Sequence, residues 1–168
     1  MTADAANAER PRFSDAALAE YGEILSRYPE RRAALLPTLW LAQREFGWLS
    51  QPAQEYVAEL MEIPVSWVSS VVSFYTMYWT EPKGRHHLQV CVNLSCALRG
   101  SDKLCAVIER RLGLKPGERT ADGRFSFEHV ECLASCGTAP VMQVNNGDYH
   151  EGLDPVALEA LLERWSTV

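Results

Sequence analysis

An alternating segment followed by a helical segment occupies residues 87–112, which read HLQVCVNLSCALRGSDKLCAVIERRL. From His87 to Val92, polar and apolar side chains alternate, a pattern typical of a β-strand. Ser101 favours the start of a helix that continues to about Leu112, because apolar residues recur there at helical spacing. This part of the chain therefore predicts a strand followed directly by a helix.

Further strands and a closing helix follow this pair. Residues 125–131 alternate again and predict a second strand. Residues 145–147, Asn-Asn-Gly, favour a hairpin turn between two short strands. Asp154 followed by Pro155 favours the start of a helix that ends near Trp165. The order strand, helix, strand, hairpin, helix predicts an α/β domain that resembles thioredoxin.

The first half of the chain reads as helical. Apolar residues at helical spacing predict four helices, at about 13–28, 30–47, 50–61 and 65–78. Pro37 lies inside the second of these and either kinks that helix or moves its start. A linker signal, Glu-Pro-Lys-Gly at 81–84, then separates the two halves. We therefore predict an N-terminal helical domain over residues 1–82 and a thioredoxin-like domain over residues 83–168.

The composition is that of a globular protein. Of the 168 residues, 47% are hydrophobic, yet no apolar run approaches the ~20 residues that a membrane-spanning helix needs. The formal net charge of −6 argues against nucleic acid as the main partner. Residues 1–10 are small, polar and partly acidic and lack an apolar signal core. We therefore expect an unprocessed, soluble, intracellular protein with no direct membrane insertion.

Aromatic residues concentrate in the helical half. Four of the five tryptophans lie between residues 40 and 79. A tightly packed helical core accounts for aromatics at this density, and exposed aromatics would in addition mark a docking surface for another subunit. The two interpretations are compatible.

Two tight pairs of cysteines are the strongest chemical signal in the sequence. Cys91 and Cys96 are separated by four residues, and Cys132 and Cys136 by three. Each pair lies at the end of a predicted strand, so loops on a rigid sheet could bring the four thiols to one edge. Five cysteines in an intracellular protein favour metal binding or redox chemistry over disulfides. The fifth, Cys105, lies in a helical apolar pattern that predicts a small buried thiol.

Several centres are compatible with four thiols at this spacing. Four thiolates can hold a 2Fe–2S cluster, two on each iron, or a structural zinc ion, and unligated thiols are the third possibility. The lack of a Cys-x-x-Cys motif disfavours a thioredoxin-type dithiol. A Rieske centre needs two histidine ligands, and no histidine lies inside either cysteine loop. We expect ordinary strand or turn positions for His86, His87, His129 and His150.

At these loops the sequence resembles a known family, the thioredoxin-like 2Fe–2S subunit of NADH:quinone oxidoreductase, respiratory complex I. This is the bacterial E subunit, or the mitochondrial flavoprotein 2. The matching segments are VCVNLSCALRG at 90–100, ECLASCGTAPV at 131–141, VVSFYTMY at 71–78 and KPGE at 115–118. The spacing of the cysteines is similar to that of the family, and the likeness covers roughly residues 15–166.

The resemblance implies a fold and a cofactor. The fold is an N-terminal helical bundle followed by a thioredoxin-like 2Fe–2S ferredoxin domain, which places the chain in the α/β class. The implied ligands of one 2Fe–2S cluster are Cys91, Cys96, Cys132 and Cys136. The implied partner is the flavin subunit that binds FMN and NADH, so that no catalytic residue is expected on this chain. In agreement, the sequence contains no dinucleotide-binding glycine motif, phosphate loop or nucleophile motif.

The function implied by the resemblance is one-electron exchange between the cluster and the nearby flavin, in an NADH dehydrogenase complex. Such a subunit would be cytoplasmic and peripheral, at the cytoplasmic face of the inner membrane. Similar subunits serve soluble NAD-dependent formate dehydrogenases and NAD-linked hydrogenases, and these remain alternatives on the sequence alone. A zinc-stabilised interaction module is the alternative from another class.

One position departs from the family pattern. The family usually has glycine in the second cysteine loop where this chain has Ala134. If that position needs a positive φ, alanine costs about 1 kcal/mol there. The substitution removes no ligand, but it could shift the cluster slightly or tune its potential.

Overall fold

The computed structural model describes residues 11–167. This part of the chain forms two compact units, the first ending at Pro82 and the second beginning at Lys83. Between residues 11 and 167, no helix is both long enough and apolar enough to cross a membrane. The prediction that residues 1–10 contain no signal core concerns a segment outside the described residues.

The regular structure of the first unit is helical. Within the described residues its α-helices are α1 (Asp15–Ser26), α2 (Leu35–Phe46), α3 (Gln51–Met61) and α4 (Val65–Phe74), with a 3₁₀ turn at Arg31–Ala34. Ser14 caps α1, because its hydroxyl accepts the amide N–H of Ala17 at 3.2 Å. Ser50 caps α3 in the same way through Ala53, also at 3.2 Å. These caps define the helix starts that the sequence predicts.

Pro37 moves the start of α2 and does not kink it. Helix α2 begins at Leu35, so Pro37 is its third residue and lies in the first turn. Amide groups of the first turn have no partner within the helix, and a proline there removes no hydrogen bond. Gly47 ends the helix with a φ of 83°, and its amide donates to the carbonyl of Gln43 at 2.8 Å.

The core of the first unit combines aliphatic and aromatic side chains. Leu39 and Met61 are fully buried, and Phe13 packs against Phe46 with ring centroids 5.4 Å apart. Trp67, in contrast, leaves 40% of its surface exposed. The predicted packed helical core is confirmed, but the tryptophans lie at its margin.

Helix α4 ends at Phe74, so the predicted end at Tyr78 is wrong by four residues. Tyr75 already has extended backbone angles, and the chain then turns so that Tyr78 becomes buried. The side chain of Gln43 holds this turn, because it accepts the amide N–H of Trp79, 36 positions away, at 2.6 Å. A long-range hydrogen bond therefore overrides the helical spacing of the aromatic residues.

The second unit is an α/β domain with a four-stranded mixed sheet. Within the described residues its elements are β1 (His86–Cys91), α5 (Leu94–Leu98), α6 (Ser101–Leu112), β2 (Phe125–Val130), a 3₁₀ turn (Cys136–Thr138), β3 (Met142–Val144), β4 (Asp148–His150) and α7 (Pro155–Ser166). The strand order is β2-β1-β3-β4, with β1 and β2 parallel and the other neighbours antiparallel. The predicted α/β class and the predicted order of elements are confirmed.

The ends of these elements follow the turn and cap signals in the sequence. Asn145 and Asn146 have φ values of 55° and 56°, the left-handed region that a tight hairpin requires. The carboxylate of Asp154 accepts an amide of the first turn of α7 at 2.8 Å. Helix α6 departs from prediction, because Gly100, with a φ of 95°, is its cap and Ser101 is its first residue.

Helices α6 and α7 share one hydrophobic core with the sheet. Leu104 and Ile108 of α6 and Leu158 of α7 are fully buried, together with Leu88 and Phe127 of the strands. Burying such a side chain contributes about 1.5–3 kcal/mol before the entropy of ordering is counted. This core makes the sheet a rigid support for the loops that carry the cysteines.

A second set of side chains on β1 is polar and equally buried. His87 and Gln89 alternate with the apolar residues of the strand. Ser126 Oγ accepts the amide N–H of Gly84 at 2.8 Å and lies 2.7 Å from His87 Nδ1. Glu128 Oε1 lies 3.1 Å from His87 Nε2 and accepts a hydrogen bond from Gln89 at 3.0 Å. The alternation in β1 therefore separates two buried faces, whereas a half-exposed strand would alternate between core and solvent.

Candidate metal centre

The two cysteine loops begin at the same edge of the sheet. Cys91 is the last residue of β1 and is paired with Val130, the last residue of β2. Because these strands are parallel, both end at one edge, and Cys132 follows two residues after Val130. The amide of Cys91 donates to the carbonyl of Val141 at 3.2 Å. The segment after Cys136 therefore returns to the edge where the first pair begins.

A short helix that the sequence did not reveal places Cys96. Helix α5 begins after Asn93, whose side-chain oxygen accepts the amide N–H of Leu94 at 2.7 Å. Cys96 faces inward and is 2% exposed, whereas Leu94 and Leu98 are 70% and 78% exposed. Asn93 as a cap was the available signal, but five residues are too few for a periodic pattern to show.

The two cysteine pairs differ in burial. Cys91 and Cys96 form a small apolar cluster with Ala139 and Val141. Cys132 and Cys136 are both exposed, and Cys136 begins the 3₁₀ turn. None of the five cysteines forms a disulfide. One pair is therefore built into the fold, while the other is presented on the surface.

Electrostatic interactions connect the pairs. The pKa of the Cys96 thiol is raised, first by burial, then by a hydrogen bond with Cys91 and by the charges of Cys91 and Cys136. A hydrogen bond from the backbone of Val141 opposes this rise. The Cys96 thiol is therefore within electrostatic reach of one cysteine from each pair, Cys91 and Cys136.

This arrangement suits the donor requirements of an iron–sulfur cluster. Soft thiolates are the preferred ligands of iron–sulfur clusters, and a 2Fe–2S cluster takes two of them on each iron. Two cysteine pairs at one edge of a rigid sheet match that division. Among residues 11–167, no group of three or more His, Cys, Asp or Glu side chains has the geometry to hold a metal ion.

Ala134 has the backbone conformation that the family's glycine would favour. Its φ is 59°, in the left-handed region. Its amide N–H donates to Cys132 Sγ at 3.3 Å, so the strained conformation aims a hydrogen bond at a sulfur. Hydrogen bonds of this kind tune the potential of iron–sulfur centres. The departure from the family pattern is therefore a real strain on the loop.

Replacing Ala134 with glycine is expected to relieve this strain. Ala134→Gly should raise the free energy of unfolding by up to about 1 kcal/mol, because glycine adopts a positive φ freely and keeps the same amide donor. Urea unfolding of the full chain measures this change. Ala160→Gly, on the exposed face of α7, is the matched control and should lower stability by about 0.5–1 kcal/mol. A loss of stability in both variants would contradict the expected strain.

Cys105 stands apart from this set, as predicted. It lies in α6, 7% exposed, and belongs to the core that joins the helices to the sheet. Burial, followed by the negative charge of Glu109, raises the pKa of Cys105 to about 11. A thiol with so high a pKa is protonated at neutral pH.

The four histidines make ring contacts and hydrogen bonds elsewhere in the domain. His86 stacks on Trp165 at 5.0 Å, and His150 meets the same ring edge-on at 5.6 Å. His129 lies 5.3 Å from the ring of Phe127, and His87 belongs to the buried polar face of β1. These positions agree with the expectation of ordinary strand and turn residues.

Known proteins are similar in sequence to this chain along most of its length. The family of thioredoxin-like [2Fe-2S] ferredoxins matches residues 21–166. An NADH-quinone oxidoreductase E subunit of Rhizobium meliloti, the one numbered 2, is 49% identical over 138 residues, covering 82% of each chain. NADH-quinone oxidoreductase subunit 2 of Thermus thermophilus is 46% identical over 142 residues, covering 83% of this chain and 78% of the relative.

A solved structure shares the fold. A chain of an NAD+-reducing [NiFe]-hydrogenase in the air-oxidized state matches with a TM-score of 0.70 and 24% identity. The match covers 79% of this chain but only 23% of the hydrogenase chain. At this identity the likeness concerns the fold alone.

The family match spans more than half of the chain, and the relatives are similar over four-fifths of it. The chain belongs to the thioredoxin-like [2Fe–2S] ferredoxins and, among them, to the family of NADH-quinone oxidoreductase E subunits. The predicted family and the predicted 2Fe–2S cofactor are confirmed. The protein is thus an iron–sulfur electron-transfer subunit of an oxidoreductase, and the zinc-stabilised module is set aside.

Proposed function

We propose that this chain accepts and donates electrons beside the flavin- and NADH-binding subunit of an NADH-quinone oxidoreductase, through a 2Fe–2S cluster held by Cys91, Cys96, Cys132 and Cys136. One observation supports this set of ligands: both cysteine loops begin at the edge of the sheet where β1 and β2 end. The bound cluster supplies one-electron chemistry. The chain supplies its position, its partial burial and the hydrogen bonds to its sulfurs.

The two buried cysteines and the two exposed ones have different tasks in this proposal. Cys91 and Cys96, which are buried, would attach the cluster to the rigid sheet and keep water from it. Cys132 and Cys136, which are exposed, would hold it where an electron donor can approach closely. Burial on one side and access on the other suit a centre that exchanges electrons with a second protein.

The surface around Cys96 supports contact with a partner subunit. Leu94 and Leu98 are exposed large apolar side chains on the helix that carries Cys96. Exposed apolar side chains beside a functional group often mark a protein interface. The relatives are named as subunits of NADH-quinone oxidoreductases, which contain more than one subunit. We assign the flavin subunit to this surface, because the sequence has no nucleotide-binding motif of its own.

The same proposal extends to domain organisation and location. Residues 1–82 would form a helical domain and residues 83–168 the 2Fe–2S domain, in keeping with the two compact units. The subunit would be cytoplasmic and peripheral, held at the cytoplasmic face of the inner membrane by its partners.

The test is reduction of the purified full chain with dithionite and, separately, with NADH. We expect about two iron and two sulfide per chain, from the composition of a 2Fe–2S cluster, and an EPR signal after dithionite. NADH should reduce the cluster only when the flavin subunit is added. A colourless protein that contains zinc would overturn the cofactor, and rapid reduction by NADH without the flavin subunit would overturn the assigned partner.

A further inference from the structure

The turn that begins with Cys136 is attached to a carboxylate from a different part of the chain. Thr138 Oγ1 donates to Glu151 Oε1 at 2.7 Å, and Ser135 Oγ donates to the same oxygen. The two hydroxyl oxygens are 2.7 Å apart. Glu151 therefore contacts the residues on both sides of Cys136–Gly137, although it is 15 positions further along the chain than Cys136.

Backbone hydrogen bonds fix Glu151 in this place. Glu151 directly follows β4, which pairs with β3 in the sheet. The next amide, of Gly152, donates to the carbonyl of Thr138 at 2.6 Å, and that of Leu153 donates to the carbonyl of Pro140 at 3.1 Å. The Glu151 carboxylate therefore projects from a segment whose position is fixed by β4 and by these backbone hydrogen bonds.

The cysteine turn itself is short and exposed. Cys136 and Thr138 are exposed, and the 3₁₀ turn they delimit is three residues long. Within the turn, the amide of Thr138 donates to the carbonyl of Ser135 at 3.2 Å. Short 3₁₀ turns have weak hydrogen-bond geometry and rely on side-chain contacts for a defined shape.

We propose that Glu151 is a positioning residue for Cys136: it holds the turn in the shape that presents the Cys136 sulfur to the cluster, and it adds a fixed negative charge beside it. The inference rests on the proposed function, in which Cys136 is a ligand. Partners of metal ligands generally fix the orientation of the ligand and tune the metal. No signal in the sequence marks Glu151, because the contact exists only after the β3–β4 hairpin has formed.

The ionised form of Glu151 is the one that fits this role. Hydrogen bonds from Ser135 and Thr138, in that order, lower its pKa, and burial opposes them only slightly. A carboxylate that accepts from two hydroxyls is therefore the form present at neutral pH.

The first measurement is the rate at which the full chain loses iron to a chelator. Glu151→Ala removes the acceptor, and we expect iron release about tenfold faster, the lower range for loss of a ligand's partner. Glu151→Gln keeps an acceptor oxygen and should release iron nearly as slowly as the unmodified chain. Glu163→Ala, an exposed glutamate on α7, is the matched control and should change nothing.

The second measurement is the reduction potential of the cluster. Glu151→Gln should raise the potential relative to the unmodified chain, because a negative charge near the cluster disfavours adding an electron. Glu163→Gln should leave it unchanged. Unaltered iron release in Glu151→Ala would overturn the proposal, as would equal release in the Ala and Gln variants or an unaltered potential in Glu151→Gln.

A third measurement separates this proposal from the ligand assignment. In the iron-free chain, amide hydrogen exchange of residues 135–139 reports on the turn without any cluster. Glu151→Ala should speed this exchange, and combining it with Thr138→Val should add little further effect, because both changes break the same contact. If Cys136→Ser leaves the cluster unchanged, the ligand assignment fails. If exchange is unaltered in Glu151→Ala, the positioning role fails.

Discussion

A chain carrying Cys136→Ser is expected to lose the EPR signal of the reduced cluster or to change it clearly, whereas Cys105→Ser should keep it unchanged. Serine offers an oxygen where the proposed cluster needs a soft thiolate, so one iron loses a preferred ligand. Cys105 is buried in the core between the helices and the sheet and has a pKa raised to about 11. A retained, unchanged signal in Cys136→Ser would contradict the proposed ligand set.

The burial of the cysteines makes some of these variants more informative than others. Cys91 and Cys96 are 3% and 2% exposed, so serine at either position also places a hydroxyl in an apolar cluster. Cys132 and Cys136 are exposed, and their replacement should disturb the iron without disturbing the fold. Circular dichroism of each variant, recorded beside the EPR spectrum, distinguishes loss of the cluster from loss of the fold.

The second large effect is expected at Glu128. Its carboxylate lies 3.1 Å from His87 Nε2, accepts from Gln89 at 3.0 Å and lies 3.9 Å from the ammonium of Lys83. Ser126 Oγ accepts the amide N–H of Gly84, so the hydroxyl proton of Ser126 is available to His87 Nδ1. The imidazole of His87 then carries its proton on Nε2, which faces Glu128. Glu128→Ala removes the carboxylate that all three of these polar groups face, and we expect a loss of about 2–3 kcal/mol in the free energy of unfolding.

The contribution of Glu128 should depend on pH in a defined direction. Burial would raise the pKa of Glu128, but the interactions with His87, Gln89 and the ammonium of Lys83 hold it below its ordinary value of 4.5. A carboxyl group whose pKa is lower in the folded chain stabilises the fold at pH values above its pKa in the unfolded chain. This stabilisation is lost as the pH falls through the pKa of the folded chain. The stability difference between the unmodified chain and Glu128→Ala should therefore be full at neutral pH and shrink below about pH 4.5.

Urea unfolding at several pH values measures this difference, and amide exchange in β1 localises it. Glu163→Ala, on the exposed face of α7, should stay within about 0.5 kcal/mol of the unmodified chain at every pH. Equal stability of Glu128→Ala and the unmodified chain at neutral pH would show that the buried polar face adds nothing to the fold.

Much of this architecture could be predicted because its signals are local. Helix caps at Ser14 and Ser50, the Asn145–Asn146 turn and Asp154 before Pro155 each act within a few residues, and the structure confirms them. The spacing within each cysteine pair is local as well. The resemblance in both cysteine loops, confirmed by the relatives, then led from an open choice of metal to a 2Fe–2S cluster.

One wrong prediction and two features that the sequence did not reveal mark the limits of local signals. The end of α4 depends on Gln43, 36 positions from Trp79, and the buried polar face of β1 depends on Ser126 and Glu128 from the neighbouring strand. Helix α5 was too short for a periodic pattern to reveal it. Propensity and spacing describe a segment by itself, whereas these features come from contacts between segments.

The amino-acid sequence alone was sufficient for the class of fold and for the two cysteine pairs, because caps, turns and spacing operate over a few residues. Strain at Ala134 was expected only if that position had a positive φ, and the folded chain supplies the value of 59°. The folded chain was needed to show which thiols are buried, which sulfurs interact and that Glu151 reaches the turn of Cys136. Those features depend on parallel pairing of β1 with β2, which brings Val130 beside Cys91, 39 positions away, and on the β3–β4 hairpin, which brings Glu151 to Thr138, 13 positions away. The burial of the thiols and the hydrogen bonds of Glu151 depend on contacts between distant segments, and they arise only when the sheet has formed.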